Sequence, residues 1–118
     1  MSGMPNVRDV LERHVELFNA GVRGHDFSGM LSQFADDAAL RFDGVPVGPF
    51  EGRPAIEAAY REQPPDDEIR VLDTNDAGAD RVIARYAWAA APGQMAGRMH
   101  LRVRDGLIAE LVVTFETS

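Results

Sequence analysis

The sequence predicts an α+β domain in which three helices precede a run of antiparallel strands. In its first half, apolar residues recur at helical spacing, whereas in its second half apolar and polar residues alternate as in half-buried strands. No repeat, low-complexity tract or interdomain linker divides the 118 residues. We therefore expect a single domain over residues 1–118.

Three segments of the first half have helical spacing and helical end signals. Apolar residues recur at three- and four-residue steps over about 6–20, and Gly21 and Gly24 are expected to end this helix. A short second helix is predicted over about 27–34. Pro54 stands where a first-turn proline belongs, so a third helix is predicted over about 54–62.

The remaining segments are predicted to be strands because β-branched and aromatic residues alternate with polar ones between turn residues. One strand lies between the second and third helices and four follow the third, at 39–43, 68–73, 81–90, 95–104 and 107–116.

The alternation in the last three strands also predicts a register, because paired residues must share a face of the sheet. A three-residue loop at 104–106 places Met99 beside Leu111. A four-residue turn at 91–94, between the strands at 81–90 and 95–104, places Trp88 opposite Gly97, where a glycine would leave room for the indole ring.

Composition excludes several classes of function. Nineteen acidic residues against twelve basic ones give a net charge of −7, which disfavours nucleic acid as a partner. All the basic residues are arginine, so lysine-based Schiff-base chemistry and the phosphate loop that needs a lysine are absent. There is no cysteine for a disulfide or a thiol nucleophile. Because no signal-peptide pattern and no membrane-length apolar run occur, we expect a cytoplasmic protein without a membrane partner.

Four segments, in the same order along the chain, resemble the nuclear transport factor 2-like and ketosteroid isomerase-like superfamily, which includes polyketide cyclase-like proteins. They are VLERHVELFNAG at 10–21, FADDAAL at 34–40, FEGRPAI at 50–56 and RDGLIAEL at 104–111. The resemblance implies a cone-shaped barrel with three N-terminal helices packed in a strongly curved antiparallel sheet, and an apolar pocket at the open end. It implies little about activity, since the fold hosts isomerases, dehydratases, cyclases, epoxide hydrolases and non-catalytic binding modules.

The resemblance also shows that the steroid isomerase catalytic set is not intact. Those isomerases use a tyrosine on the first helix, an aspartate at the end of the first strand and a protonated aspartate on a later strand. The matching positions are His14 for the tyrosine, Phe42 for the first acid and Met99 for the second. The first acid falls on Asp43 instead if one inserted residue precedes it.

His14 and Asp43 are the candidate catalytic residues. His14 lies in the centre of an apolar helical stripe, so its ring should point inward, either as a pocket acid–base group or as a core histidine with a structural partner. Asp43 can act as a general base if it is desolvated near the pocket. The alternation of its strand turns Leu40 and Phe42 inward and argues that Asp43 faces outward unless a bulge intervenes.

The candidate pocket residues are large side chains that fall on inward faces: Phe18, Phe34, Phe42, Tyr60, Tyr86, Trp88, Met99 and Phe115. Core packing is the alternative role for each of them. The three histidines are scattered without metal-ligand spacing. We expect neither a metal nor a cofactor.

Two hypotheses follow. The first is a protein that binds a small hydrophobic molecule and catalyses cofactor-free acid–base chemistry on it, such as isomerisation or a related cyclase, dehydratase or hydrolase reaction. The second is a non-catalytic ligand-binding or dimerisation module. A homodimer through the outer sheet face is predicted, since Ile83, Ile108 and Val112 are expected there as an apolar group.

Overall fold

The computed structural model describes residues 6–44, 48–91 and 93–115 and has the α+β architecture that the sequence predicts. Residue 116, the predicted end of the last strand, lies outside these ranges. The described part holds three helices and six strands in this order: α1 Val7–Gly24, α2 Ser28–Leu31, β1 Phe34–Asp43, β2 Phe50–Glu51, α3 Arg53–Glu62, β3 Ile69–Gly78, β4 Arg81–Trp88, β5 Gly97–Arg104 and β6 Leu107–Phe115.

The strands form one sheet in the order β2-β1-β6-β5-β4-β3. The sheet is mixed, because β1 runs parallel to β6 while the other neighbours are antiparallel. The expectation of an antiparallel barrel is therefore wrong in two respects: the sheet is not wholly antiparallel, and it is not closed. No hairpin joins β1 to β6, so nothing local forces the antiparallel direction on them.

Helix α1 has a side-chain cap at its start and extends past the predicted residue 20 to the second of the two glycines expected to end it. The Asn6 side chain accepts a hydrogen bond from the Asp9 amide at 2.9 Å and caps the start. The helix continues through Gly21 and ends at Gly24, where His25 takes the left-handed conformation with φ 57°. Gly21 is required for packing instead, since a Cβ there would overlap the Phe27 ring.

The predicted faces of β4 and β5, and of β6 from Leu111 onward, are correct, but the register is displaced by two residues. Met99 pairs with Val113 and not with Leu111, and Gly97 pairs with Tyr86 and not with Trp88. At the β5–β6 hairpin the turn is shorter than expected. Arg104 pairs directly with Leu107, so only Asp105 and Gly106 form the turn, both with positive φ.

Gly97 makes room for backbone rather than for an indole ring. A Cβ at this position would overlap the carbonyl oxygen of Thr114 on β6. The close approach of β5 and β6 therefore requires glycine here.

A β-bulge in β6 changes the predicted position of Ile108. Arg102 pairs with Glu110 and Val103 pairs with Ile108, so Ala109 between them has no partner on β5. This extra residue interrupts the alternation, and Ile108 joins the core with no exposed surface. The expectation that Ile108 lies on the outer face is wrong.

The helices pack on one face of the sheet, α1 against β3, β4 and β5 and α3 against β1. The apolar stripe of α1 and the inward sets of the strands meet between these layers and form the core. None of the helices in the described ranges has the length and apolar character needed to span a membrane.

Candidate functional site

A cavity of about 330 Å³ lies between the helices and the inner face of the sheet. Apart from His14, its inner wall consists of aromatic and aliphatic side chains. Glu62, the last residue of α3, and Gln63 after it are exposed at its edge. It reaches the size range of small-molecule sites.

The cavity brings His14 together with these candidate pocket residues: Phe18, Phe42, Tyr60, Tyr86, Trp88, Met99 and Phe115. Phe34 does not line it. Its side chain has no exposed surface and packs edge-on against the His14 ring, with 6.0 Å between ring centroids. Phe34 therefore belongs to the core that supports the histidine.

Asp43 is exposed at the end of β1 and does not line the cavity. Its strand pairs regularly with β6 from Ala39 to Asp43, where Asp43 is opposite Thr114. No bulge interrupts this stretch, so the alternation that turns Leu40 and Phe42 towards the cavity turns Asp43 away from it. The structure does not bring the two candidate catalytic residues together.

His14 is the one buried charged or polar residue of the described chain, with 1% of its surface exposed. Its Nδ1 lies 3.2 Å from Oε1 of Gln33, and the Gln33 amide nitrogen donates to the Val10 carbonyl oxygen at 3.5 Å. Burial lowers the pKa of His14 from 6.5 to about 4, although the hydrogen bond to Gln33 acts in the opposite direction. The ring is therefore neutral at pH 7.

Two tyrosines supply further polar groups to the cavity. Neither the Tyr60 nor the Tyr86 hydroxyl has a hydrogen-bond partner among residues 6–44, 48–91 and 93–115. Burial raises the pKa of Tyr86 to about 12 and raises that of Tyr60 as well, so both remain protonated phenols near neutrality. Both hydroxyls can donate to or accept from a ligand.

Trp88 forms part of the same wall. Its indole ring stands edge-on to Tyr86 with 5.8 Å between centroids, and it is partly exposed. Because it is the single tryptophan of the chain, any change in tryptophan emission is assigned to this cavity wall.

Sequence reasoning missed Gln33 and several apolar lining residues. Gln33 falls within the predicted second helix, but α2 ends at Leu31, so Gln33 lies in the turn into β1. Its contact with His14 depends on how two segments 19 residues apart pack together, and no local pattern signals that. The additional apolar lining residues are Leu40, Phe50, Ala59, Pro65, Ile69, Leu111 and Val113.

No cluster suited to a metal ion occurs in the part of the chain that the structure describes. Within the cavity wall, Glu62 is the sole carboxylate, and it lies at the exposed edge. The polar chemistry of the interior therefore comes from one neutral imidazole and two phenols.

The α+β cone and its sheet order define a nuclear transport factor 2-like protein. The chain belongs to the family described by the SnoaL-like domain, whose model matches residues 11–111. The comparison with curated proteins gives no match.

Solved structures share this fold at low sequence identity. A SnoaL-like protein of unknown function from Burkholderia thailandensis is 21% identical, with a TM-score of 0.71 over 94% of this chain and 95% of that one. RV0760c from Mycobacterium tuberculosis, in complex with estradiol-17beta-hemisuccinate, is 16% identical, with a TM-score of 0.70 over 91% of each chain. A computationally designed 17-OHP binder is 18% identical, with a TM-score of 0.72 over 94% of this chain and 92% of that one.

Proposed function

We propose that this protein binds a small hydrophobic molecule in its internal cavity. The observation that carries the proposal is the aromatic wall around an open space of about 330 Å³, in which the ring of His14 and two tyrosine hydroxyls remain available to a ligand. Apolar walls with a few convergent polar groups are characteristic of small-molecule sites.

The relatives of known structure support a ring compound as the ligand. The Mycobacterium tuberculosis protein is in complex with an estradiol derivative, and the designed protein binds 17-OHP. The aromatic side chains of this cavity would pack against such fused rings. The ligand class proposed here is therefore a compact, fused-ring hydrophobic molecule.

The test is a titration of Trp88 fluorescence with trans-decalin and its 2-hydroxy, 2-methoxy and 2-keto derivatives, of which only the ketone absorbs, weakly, where tryptophan does. We expect a saturable change for the bound probes. Trp88→Phe should keep its far-ultraviolet circular dichroism and lose the signal. A response that stays absent or non-saturable for every probe would contradict the proposal.

A second candidate function, acid–base catalysis on the bound molecule, is favoured by the neutral imidazole of His14 in the cavity wall. A neutral ring in an apolar site can remove a proton from carbon while a phenol stabilises the resulting enolate oxygen. Asp43 does not line the cavity and cannot transfer the proton there, so His14 would be the only base. A single group of this kind contributes about 10²–10⁴-fold in rate.

Exchange of the α-hydrogens of 2-decalone for deuterium, followed by mass spectrometry in D₂O, tests this candidate. His14→Phe should lower the exchange rate above background by about 10²–10⁴-fold while 2-decalone still binds. If the wild-type protein binds 2-decalone without accelerating exchange, the non-catalytic binding module is the better description.

The outer face of the sheet supports the homodimer as a proposal of its own. Ile83 and Val112 both pair with His100 and remain partly exposed there. Arg102 and Glu110 lie in the adjacent row, and a two-fold axis would let such opposite charges meet. Light scattering at micromolar concentration should report twice the monomer mass, and Val112→Glu should halve it.

A further inference from the structure

Gln33 determines which ring nitrogen of His14 carries the proton. The Gln33 Oε1 atom can only accept a hydrogen bond, and it lies 3.2 Å from Nδ1, so Nδ1 must donate. The orientation of the amide has an independent cause. The Val10 carbonyl oxygen can also only accept, and the amide nitrogen of Gln33 faces it at 3.5 Å.

The other ring nitrogen, Nε2, is left with a lone pair. A neutral imidazole has one proton, and here Nδ1 holds it. Nε2 has no partner among the described residues, and no fully buried side-chain nitrogen or oxygen among them is unsatisfied. Since His14 lines the cavity while Gln33 does not, Nε2 is the nitrogen that a ligand meets.

We propose that the cavity selects ligands that present a hydroxyl group to His14, so that Nε2 accepts a hydrogen bond from an alcohol, phenol or enol on an apolar ring system. This inference rests on the proposed binding function and specifies its ligand class. A carbonyl oxygen at the same place would require the proton on Nε2, which would set the bare Nδ1 lone pair against the Gln33 oxygen.

The tyrosines do not remove this selectivity. A phenol hydroxyl rotates and can either donate or accept, so Tyr60 and Tyr86 satisfy a carbonyl and an alcohol alike. His14 is the group in the inner wall whose hydrogen-bonding direction is set by a neighbour. The preference for a donor should therefore depend on His14 and on Gln33 as its positioning residue.

Two decalin derivatives measure this preference by Trp88 fluorescence at pH 7.5. 2-Decalol can donate a hydrogen bond, whereas 2-methoxydecalin can only accept one. We expect the alcohol to bind about 3- to 10-fold more tightly than the ether, the value of one net hydrogen bond. In His14→Phe, which keeps an aromatic ring beside Phe34, both probes should bind and the ratio should fall to about one.

The tautomer itself is read from the ¹⁵N chemical shifts of the histidine rings without any ligand. The signal lost in His14→Phe should show a protonated Nδ1 and an unprotonated Nε2. Gln33→Leu should move this signal towards the averaged shifts of exchanging tautomers and reduce the alcohol-to-ether ratio. Gln94→Leu, the same chemical change in an exposed turn, should alter neither.

The hydroxyl preference and the binding of hydrophobic molecules can fail separately in these experiments. If decalin derivatives bind but the alcohol and the ether bind equally well, or if Nε2 carries the proton, the hydroxyl preference is overturned and hydrophobic binding stands. If no decalin derivative gives a saturable response, both are overturned.

Discussion

The side-chain amide of Asn19 exchanges two hydrogen bonds with the backbone of Ile69, as a neighbouring strand would. Asn19 Nδ2 donates to the Ile69 carbonyl oxygen at 3.0 Å, and Asn19 Oδ1 accepts from the Ile69 amide at 2.8 Å. Ile69 is the first residue of the edge strand β3, pairs with Trp88 and lines the cavity. The pair of hydrogen bonds therefore ties α1 to the wall of the site.

Asn19→Leu should lower the free energy of unfolding by about 1–3 kcal/mol. The substitution leaves the amide and the carbonyl of Ile69, a residue with 4% exposure, without their partner. Urea unfolding followed by circular dichroism measures the change. Glu12→Ala, at an exposed position of the same helix, should stay within about 0.5 kcal/mol of the wild type. Equal midpoints for the two variants would show that the hydrogen bonds contribute nothing.

His14 should make the protein less stable as the pH falls from about 6.5 to about 4. Its pKa is 6.5 in the unfolded chain and about 4 in the folded one, because burial penalises the charged ring. The unfolded state therefore takes up a proton in this window while the folded state does not. The loss is about 3 kcal/mol when complete, and above about pH 7.5 the residue contributes no pH dependence.

Urea unfolding of the wild type and of His14→Phe at a series of pH values isolates this contribution. The difference between the two free energies of unfolding should change by about 3 kcal/mol between pH 7.5 and pH 4. The carboxyls of Asp37 and Asp73, whose pKa values are lowered mainly by hydrogen bonds from Arg104 and Arg85, are common to both proteins and cancel. A difference that stays constant over this range would mean that the folded protein protonates His14 as readily as the unfolded chain.

Local burial patterns predicted α1, the inward faces of β4 and β5 and that of β6 from Leu111 onward, because each pattern needs only its own segment and a core to face. The register of β5 on β6 was displaced by two residues because the Asp105–Gly106 turn is one residue shorter than expected and the extra residue Ala109 adds a second shift. The bulge that buries Ile108 has no signature in the alternation itself. Local patterns also do not determine the parallel pairing of β1 with β6, which joins distant parts of the chain.

For the candidate site, the sequence predicted which way the side chains face but not which ring nitrogen of His14 carries the proton. The helical stripe placed His14 inward, and strand parity argued that Asp43 faces outward, as the structure places both. The tautomer of His14 could not be predicted, because it depends on the contacts of Gln33 with the ring and with the Val10 carbonyl oxygen. These three groups meet only when α1 packs against the turn that leads into β1.

Gly97→Ala should destabilise the protein far more than a glycine substitution in an open turn. Its Cβ would overlap the Thr114 carbonyl oxygen, which belongs to the backbone of β6 and cannot move aside as a side-chain tip can. Overpacking of this kind costs about 1–3 kcal/mol or more. Gly93→Ala is the matched control, since a Cβ there meets no atom within 4 Å. Thermal unfolding of both variants measures the effect, and similar melting temperatures would contradict the close approach of β5 and β6.

Tyr86→Phe should leave stability nearly unchanged and should improve the binding of a purely apolar ligand. The Tyr86 hydroxyl has no hydrogen-bond partner among the described residues, so its removal breaks no bond within them. The phenol nonetheless faces the cavity, where a bound hydrocarbon must desolvate it at a cost. The affinity for trans-decalin, measured by Trp88 fluorescence, should therefore rise by up to about tenfold. Tyr86→Leu, which also removes the ring that stands edge-on to Trp88, should weaken the binding of the same probe. If Tyr86→Phe lowers both the melting temperature and the affinity for decalin, the hydroxyl has a structural partner and is not free to meet a ligand.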